Sequence, residues 1–251
     1  MTTGNSVQTA KGPMIGAALL SIWLAGDGCE LAADDMNNAE HYPDHFVVGI
    51  SDLDTGVNLV EKLTGVRPAL GGTHPHIGTR NALISLGART YLEIIAPTPD
   101  ADPAKLDPVL KAQFMDPLTH MDTLTPFLWA VGSTDLQQTF RLLQNEGLQL
   151  SEPEAGSRKK PDGSLLKWRA SFISKPAVPG LPFFIEWVEP EISPPRESPA
   201  GCLLHGFSVS GPESLMLENI VDRLGIETDV FAAAEPGLEI TLTCPNGKIV
   251  L

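Results

Sequence analysis

The chain has 251 residues and carries 17 Lys and Arg against 31 Asp and Glu, a formal charge of −14. A field of that sign repels phosphate backbones and anionic lipid heads, so no nucleic acid and no anionic membrane surface is expected as a partner. With 42% hydrophobic residues, the chain can bury roughly 70–75% of its unfolded surface and needs no covalent staple to fold.

The first 40 residues stand apart. Residues 14–25 form an apolar run preceded by one cation, Lys11, and followed by Cys29. The run is too short to span a bilayer but has the length of a signal-peptide core. Asp27 occupies a place where a lipoprotein signal carries a small residue. An N-terminal extension, or a start at Met14 or Met36, are the competing readings; together they favour a cytoplasmic protein over an exported or lipid-anchored one, with no integral membrane span. The three cysteines, Cys29, Cys202 and Cys244, make no CxxC pair, so no zinc cage is expected. Their odd number argues against a disulfide framework, and they read as buried or inert thiols.

From residue 41 onward one pattern repeats three times. Residues 45–53, 127–136 and 204–213 are each a short apolar run that breaks into a helical stretch closed by Gly65, Gly147 or Gly225. Leu53, Val57, Val60 and Leu63 recur at helical spacing, as do Leu136, Phe140 and Leu143, and Leu217, Ile220, Val221 and Leu224. Ser51 and Thr134, each near an Asp, suit N-caps, Pro212 suits a first helical position, and the closing glycines suit left-handed caps. Strand-like runs follow at 81–86 and 90–95, at 165–173 and 182–188, and at 238–243 and 248–251, the last pair joined by Asn246-Gly247. Pro- and Asp-rich stretches at 97–108 and 190–199 read as linkers. The expected class is α+β: a first βαββ module at 41–100, a linker and second βαββ module at 101–190, and a linker and shortened third module at 191–251.

The wording of these runs carries a resemblance. Asp44-His-Phe-Val-Val-Gly-Ile-Ser-Asp-Leu53, Thr64-Gly-Val-Arg-Pro68, Gly78-Thr-Arg-Asn-Ala-Leu83, Tyr91-Leu-Glu-Ile-Ile-Ala-Pro97, Arg158-Lys-Lys-Pro-Asp-Gly163 and Pro182-Phe-Phe-Ile-Glu-Trp187 resemble bacterial glyoxalase-like domain proteins. Those belong to the vicinal oxygen chelate superfamily, with glyoxalase I, extradiol dioxygenases and antibiotic-resistance proteins. The resemblance implies paired modules curving into an open, cup-like mixed or antiparallel sheet with helices outside. It also implies a divalent metal held by a His on the first strand and a Glu on the last strand of each module.

His45 and Glu93 match that pattern in the first module. In the second, Glu186 stands on the closing strand, but Leu128 occupies the His position and cannot ligate; the third copy opens with His205. Strand alternation puts His45 on one face with Val47 and Gly49, and Glu93 on one face with Tyr91 and Ile95. The ligands that the resemblance implies are His45, Glu93 and His205, with Glu186 as the proton-transferring base. The expected ion is Zn, Fe(II), Mn or Ni. Arg80, Asn81, Trp168 and Arg169, with Trp187 as a wall, are the expected substrate contacts. His74 and His76 lie in a Gly/Pro loop and read as exposed or as part of a lid, and Arg158 reads as part of a solvated hairpin tip.

The function expected is a metal-assisted lyase, isomerase or dioxygenase acting on a small oxygenated metabolite. The alternative is a metal-free small-molecule binding or sequestering protein of the same fold. An interaction module with a filled cup is a third reading. The open sheet edge of the odd copy leaves a homodimer as a further expectation.

Overall fold

The computed structural model describes residues 40–251 apart from positions 76, 103, 105, 107, 109, 110, 161 and 176–179. The signal-like run and Cys29 lie outside the described residues. Among the described residues no helix is long and apolar enough to cross a membrane.

The first unit runs β1 (His41–Gly49), α1 (Leu53–Thr64), β2 (Ala69–His74), β3 (Thr79–Ser85) and β4 (Tyr91–Pro97). The cap of α1 is Asp52, whose carboxylate accepts from the Thr55 amide at 2.8 Å, rather than Ser51. A carboxylate at that place also faces the positive end of the helix. Gly65 closes α1 at φ 78, a backbone angle that favours glycine. A short π-helical turn (Lys111–Met115) and α2 (Asp116–Leu118) lead to the second unit.

That unit runs β5 (Thr125–Ser133), α3 (Leu136–Asn145), β6 (Gln149–Leu150), β7 (Glu154–Lys159), β8 (Leu165–Lys175) and β9 (Phe183–Trp187). Its helix is capped by Asp135 rather than Thr134, through the Gln138 amide at 2.9 Å. In each unit the first strand pairs in parallel with the last, His45 beside Tyr91 and Ala130 beside Phe183. The two opening strands then meet antiparallel, β1 against β5. The result is one nine-stranded sheet, ordered β2-β3-β4-β1-β5-β9-β8-β6 with β7 on β8.

The sheet has two unlike faces. Phe46, Val48, Leu92, Ile94, Trp129, Val131 and Phe184 point toward α1 and α3 and form the main core. Burial of each such side chain contributes about 1.5–3 kcal/mol. His45, Val47, Tyr91, Glu93, Ala130, Ile185 and Trp187 point the other way, into the concavity, which two smaller apolar clusters line.

A 3₁₀ turn (Pro190–Ile192) and the short helix α4 (Pro194–Glu197) precede the third unit, which comprises β10 (Leu203–Gly211), α5 (Ser214–Leu224), β11 (Asp229–Ala232), β12 (Gly237–Cys244) and β13 (Gly247–Val250). It keeps the strand–helix–strands plan but not the order. β10 pairs in parallel with β11 and antiparallel with β12, giving a separate four-stranded sheet, β11-β10-β12-β13. The unit packs on the helix side of the large sheet, Phe207 lying 4.9 Å from Phe46 and 5.2 Å from Trp129, centroid to centroid. Cys202 and Cys244, neighbours across β10 and β12, form a disulfide. This corrects the reading of inert thiols: an odd count leaves one cysteine over but does not prevent the other two from pairing.

Candidate functional site

The register of β1 builds the centre of the concave face. Pro43 cannot donate to the ladder, and the pairing of β1 with β5 slips between Pro43 and His45, leaving Asp44 as a bulge. In a regular strand Asp44 and His45 would point to opposite faces. Here Asp44 Oδ1 lies 2.6 Å from Nδ1 of His45, both side chains being buried. The other Asp44 oxygen accepts from Nε1 of Trp187 at 2.8 Å. An ionised carboxylate only accepts, so the proton of the Asp44–His45 contact sits on Nδ1, and Nε2 is the nitrogen turned into the concavity. His45 is 4% exposed. Its ring stacks on Tyr91 with centroids 4.6 Å apart and meets the edge of Phe183 at 5.3 Å.

Nε2 of His45 faces Glu93, whose Oε2 lies 3.7 Å away. Asn81, two residues from Leu83 in β3, donates from Nδ2 to Oε1 of Glu93 at 2.7 Å. His74, at the end of β2, brings Nε2 to 4.0 Å from the same Oε1, while its Nδ1 lies 3.0 Å from the Thr79 hydroxyl. Burial lowers the proton affinity of His74, opposed in part by the charge of Glu93. Tyr91 titrates well above the usual phenol range, because of burial first and the Glu93 and Asp44 charges next.

Several expected site residues take other places. Glu186 lies on the opposite face of β9: it accepts from the Leu136 amide at 3.4 Å at the start of α3 and pairs with Arg169 at 3.5 Å. Strand parity puts Phe183, not Glu186, in the place that corresponds to Glu93, so the structure does not bring the expected base to His45. Arg169 shares that outer face. Arg80 also points to the helix side, where it pairs with Asp52 and Asp54 at the start of α1. His205 is exposed at a bulge of β10 in the second sheet and, among the described residues, makes no ion pair with Glu93 or Glu186. Asn81 and Trp168 do face the concavity, Trp168 packing edge-on against Trp187 at 6.0 Å.

Three residues were missed by the sequence reading: Asp44, His74 and Arg158. His74, read as an exposed loop group, faces Glu93; His76 lies outside the described residues. Arg158, read as part of a hairpin tip, is 6% exposed and donates to the Gly71 carbonyl. A sequence signal existed only for Asp44, where a proline inside a strand marks a bulge.

His45, His74 and Glu93 supply two imidazoles and a carboxylate, a donor set suited to Zn, Fe(II), Mn or Ni. Donors sharing such an ion stand roughly 3.4 Å apart, so separations of 3.7 and 4.0 Å fall a few tenths of an ångström wide. Among the described residues no three His, Cys, Asp or Glu stand close enough together to hold a metal ion. The donor types suit a divalent ion, and His45 Nε2 is turned toward Glu93, but the separations do not make a closed site as they stand.

Tandem strand–helix–strand units, joined through their opening strands and gathering N and O donors on the concave side, are the plan of the vicinal oxygen chelate superfamily. The sequence model of the glyoxalase-like domain family matches residues 44–224, and the chain belongs to that family. A hypothetical protein from Staphylococcus aureus has a similar structure, with a TM-score of 0.58 and 18% identity over 84% of each chain. Methylmalonyl-CoA epimerase from Streptomyces coelicolor is similar over 58% of this chain and 94% of its own, at 17% identity and a TM-score of 0.41. The epimerase from Mycobacterium tuberculosis is similar over 58% and 85%, at 21% identity and 0.38. No curated protein matches the sequence.

Proposed function

We propose that the concave face is the active site of a divalent-metal-assisted enzyme of lyase, isomerase or dioxygenase type, acting on a small oxygenated metabolite. His45, Glu93 and His74 hold the ion, His74 taking the place first given to His205. The observation that supports this best is the Asp44–His45–Glu93 line, in which one imidazole nitrogen is committed to a buried carboxylate and the other is presented to a second. A carboxylate behind a histidine fixes its tautomer and raises its strength as a ligand. The ion would supply Lewis-acid polarisation of a substrate oxygen.

The chain's own residues do the rest. Asn81 holds one Glu93 oxygen and so orients the carboxylate. Tyr91 and Phe183 clamp the plane of the His45 ring. The apolar clusters around the site keep bulk water from the reacting atoms and strengthen every electrostatic contact there.

A second reading, a metal-free binding protein, draws on one observation. Where the first unit presents His45 and Glu93, the second presents Leu128, Ala130, Phe183 and Ile185. Calorimetric titration of metal-stripped protein with Zn, Mn, Ni and anaerobic Fe(II) separates the two. The enzyme reading predicts one site per chain, weakened at least 100-fold in Glu93→Gln and in His74→Ala. No binding of any of the four ions contradicts it and leaves the binding-protein reading.

A further inference from the structure

Among the described residues, one cation on the concave face has no carboxylate within ion-pair distance. Among the described residues Arg67 pairs with Glu61, Arg80 with Asp52 and Asp54, Arg169 with Glu186, and Arg223 with Glu146. Arg158 is the more buried group, yet it has no carboxylate within ion-pair distance, and its hydrogen bond goes to the neutral Gly71 carbonyl. Guanidinium stays charged at any working pH and carries five donors in a planar fork. A buried charge left so under-used is costly unless something pairs with it.

Arg158 stands opposite Leu166 in the β7–β8 register, and Leu166 belongs to the concave cluster. Its charge reaches both His74 and Tyr91. On β2, at the far end of the sheet, Gly72 has φ +151, and a Cβ there would stand 3.1 Å from Arg158 Nη1 and 2.7 Å from the Lys159 carbonyl. Of the Gly71-Gly72 pair, it is the bare Cα of Gly72 that lets the second unit push its guanidinium against the first.

An orphaned acceptor lies on the other side of the same glycine pair. A Cβ on Gly71 would come within 2.4 Å of Asn81 Oδ1. That oxygen is buried and, among the described residues, has no hydrogen-bond partner, although the Nδ2 of the same amide holds Glu93. A fork of donors and a single acceptor thus flank Gly71, next to Glu93.

We infer that the concave face takes a small hydroxy acid, with its carboxylate on the Arg158 fork and its hydroxyl donating to Asn81 Oδ1. Forked guanidinium–carboxylate pairing suits the first contact, and an acceptor that otherwise stays unpaired selects for the second. This rests on reading the concave face as a ligand site and does not require the metal.

Thermal shift and calorimetry on the chelator-treated full chain test it, with glycolate and lactate as probes, propionate as the analogue lacking the hydroxyl, and glycolamide as the analogue lacking the charge. At least one hydroxy acid is expected to raise the melting temperature, propionate to bind at least tenfold more weakly, and glycolamide not to bind. Arg158→Met should lose the response at least tenfold while melting no lower than the wild type without ligand, since it removes an uncompensated buried charge. Should that variant not fold, Arg158→Lys, which keeps the charge but loses the fork, is read the same way. An unchanged response in these variants, or no response of the wild type to any probe, overturns the inference. Failure of metal binding in the wild type, with the Arg158-dependent response intact, counts only against the metalloenzyme reading.

Discussion

Asp44 and His45 are adjacent in sequence yet share a face, and the 2.6 Å contact between them fixes which nitrogen of the imidazole looks into the concavity. Replacing Asp44 by Asn keeps the shape but allows the other tautomer, so Nε2 would carry the proton part of the time. Supporting carboxylates of this kind typically tune metal affinity by about 10–100-fold. Asp44→Asn is therefore expected to weaken metal binding within that range, as measured by competition with a chromophoric chelator. Affinity equal to the wild type would show that Asp44 does not orient His45.

The tyrosines give an optical check on burial. The chain has two, Tyr42 and Tyr91. Burial and the charge of Asp44 push Tyr42 up to about 12 against the opposing charge of Arg89, and Tyr91 lies higher than a normal phenol for the reasons already given. The folded protein should show almost no phenolate absorbance near 295 nm below about pH 11, and both groups should titrate near pH 10 once unfolded. A full phenolate signal at pH 10.5 in folded protein would contradict the packing around Asp44.

Acid should destabilise the protein through His41. Burial lowers its proton affinity, the charge of Glu40 opposing, and its Nε2 lies 2.8 Å from the Thr139 hydroxyl beside Ser133. A histidine with a lowered folded-state pKa binds protons more readily when unfolded. Its contribution is therefore complete above the unfolded value of about 6.5 and is lost as pH falls below it. Denaturant unfolding of the wild type and His41→Gln between pH 7.5 and 5 should show the wild type losing more stability. A difference that does not change with pH would contradict this.

The disulfide closes a loop of 42 residues between Cys202 and Cys244. Loop-closure entropy alone gives a stabilisation of about 4 kcal/mol for a ring of that size, with engineered examples often returning less. Reduction should lower the unfolding midpoint, and thiol titration of the oxidised, denatured chain should count one free cysteine. Three free thiols before reduction would contradict the pairing.

How far the sequence reached depended on whether a feature is local. The helices were legible because Val57, Val60, Phe140, Leu143, Leu217 and Val221 repeat at helical spacing and the glycines after them take positive φ. His45 and Glu93 were legible through the family resemblance of the runs that carry them, and the structure brings the two side chains together. Glu186 was misread because Phe-Ile-Glu-Trp looks like Tyr-Leu-Glu-Ile while its register against β5 differs. Parity decides the face of a sheet, and register is set by pairing with a distant strand. Arg158 was hidden for a similar reason. Its neighbours are those of a hairpin tip, and its burial comes from β2, some 87 residues away.

The most direct test of the central claim is the metal content of the purified protein by elemental analysis, with His45→Ala and Glu93→Ala beside the wild type. Near one equivalent of a transition-metal ion in the wild type, lost in both variants, is the result predicted. A wild type that stays free of metal after incubation with Zn, Mn, Ni and Fe(II) would contradict it and leave the concave face as a pocket that binds without an ion.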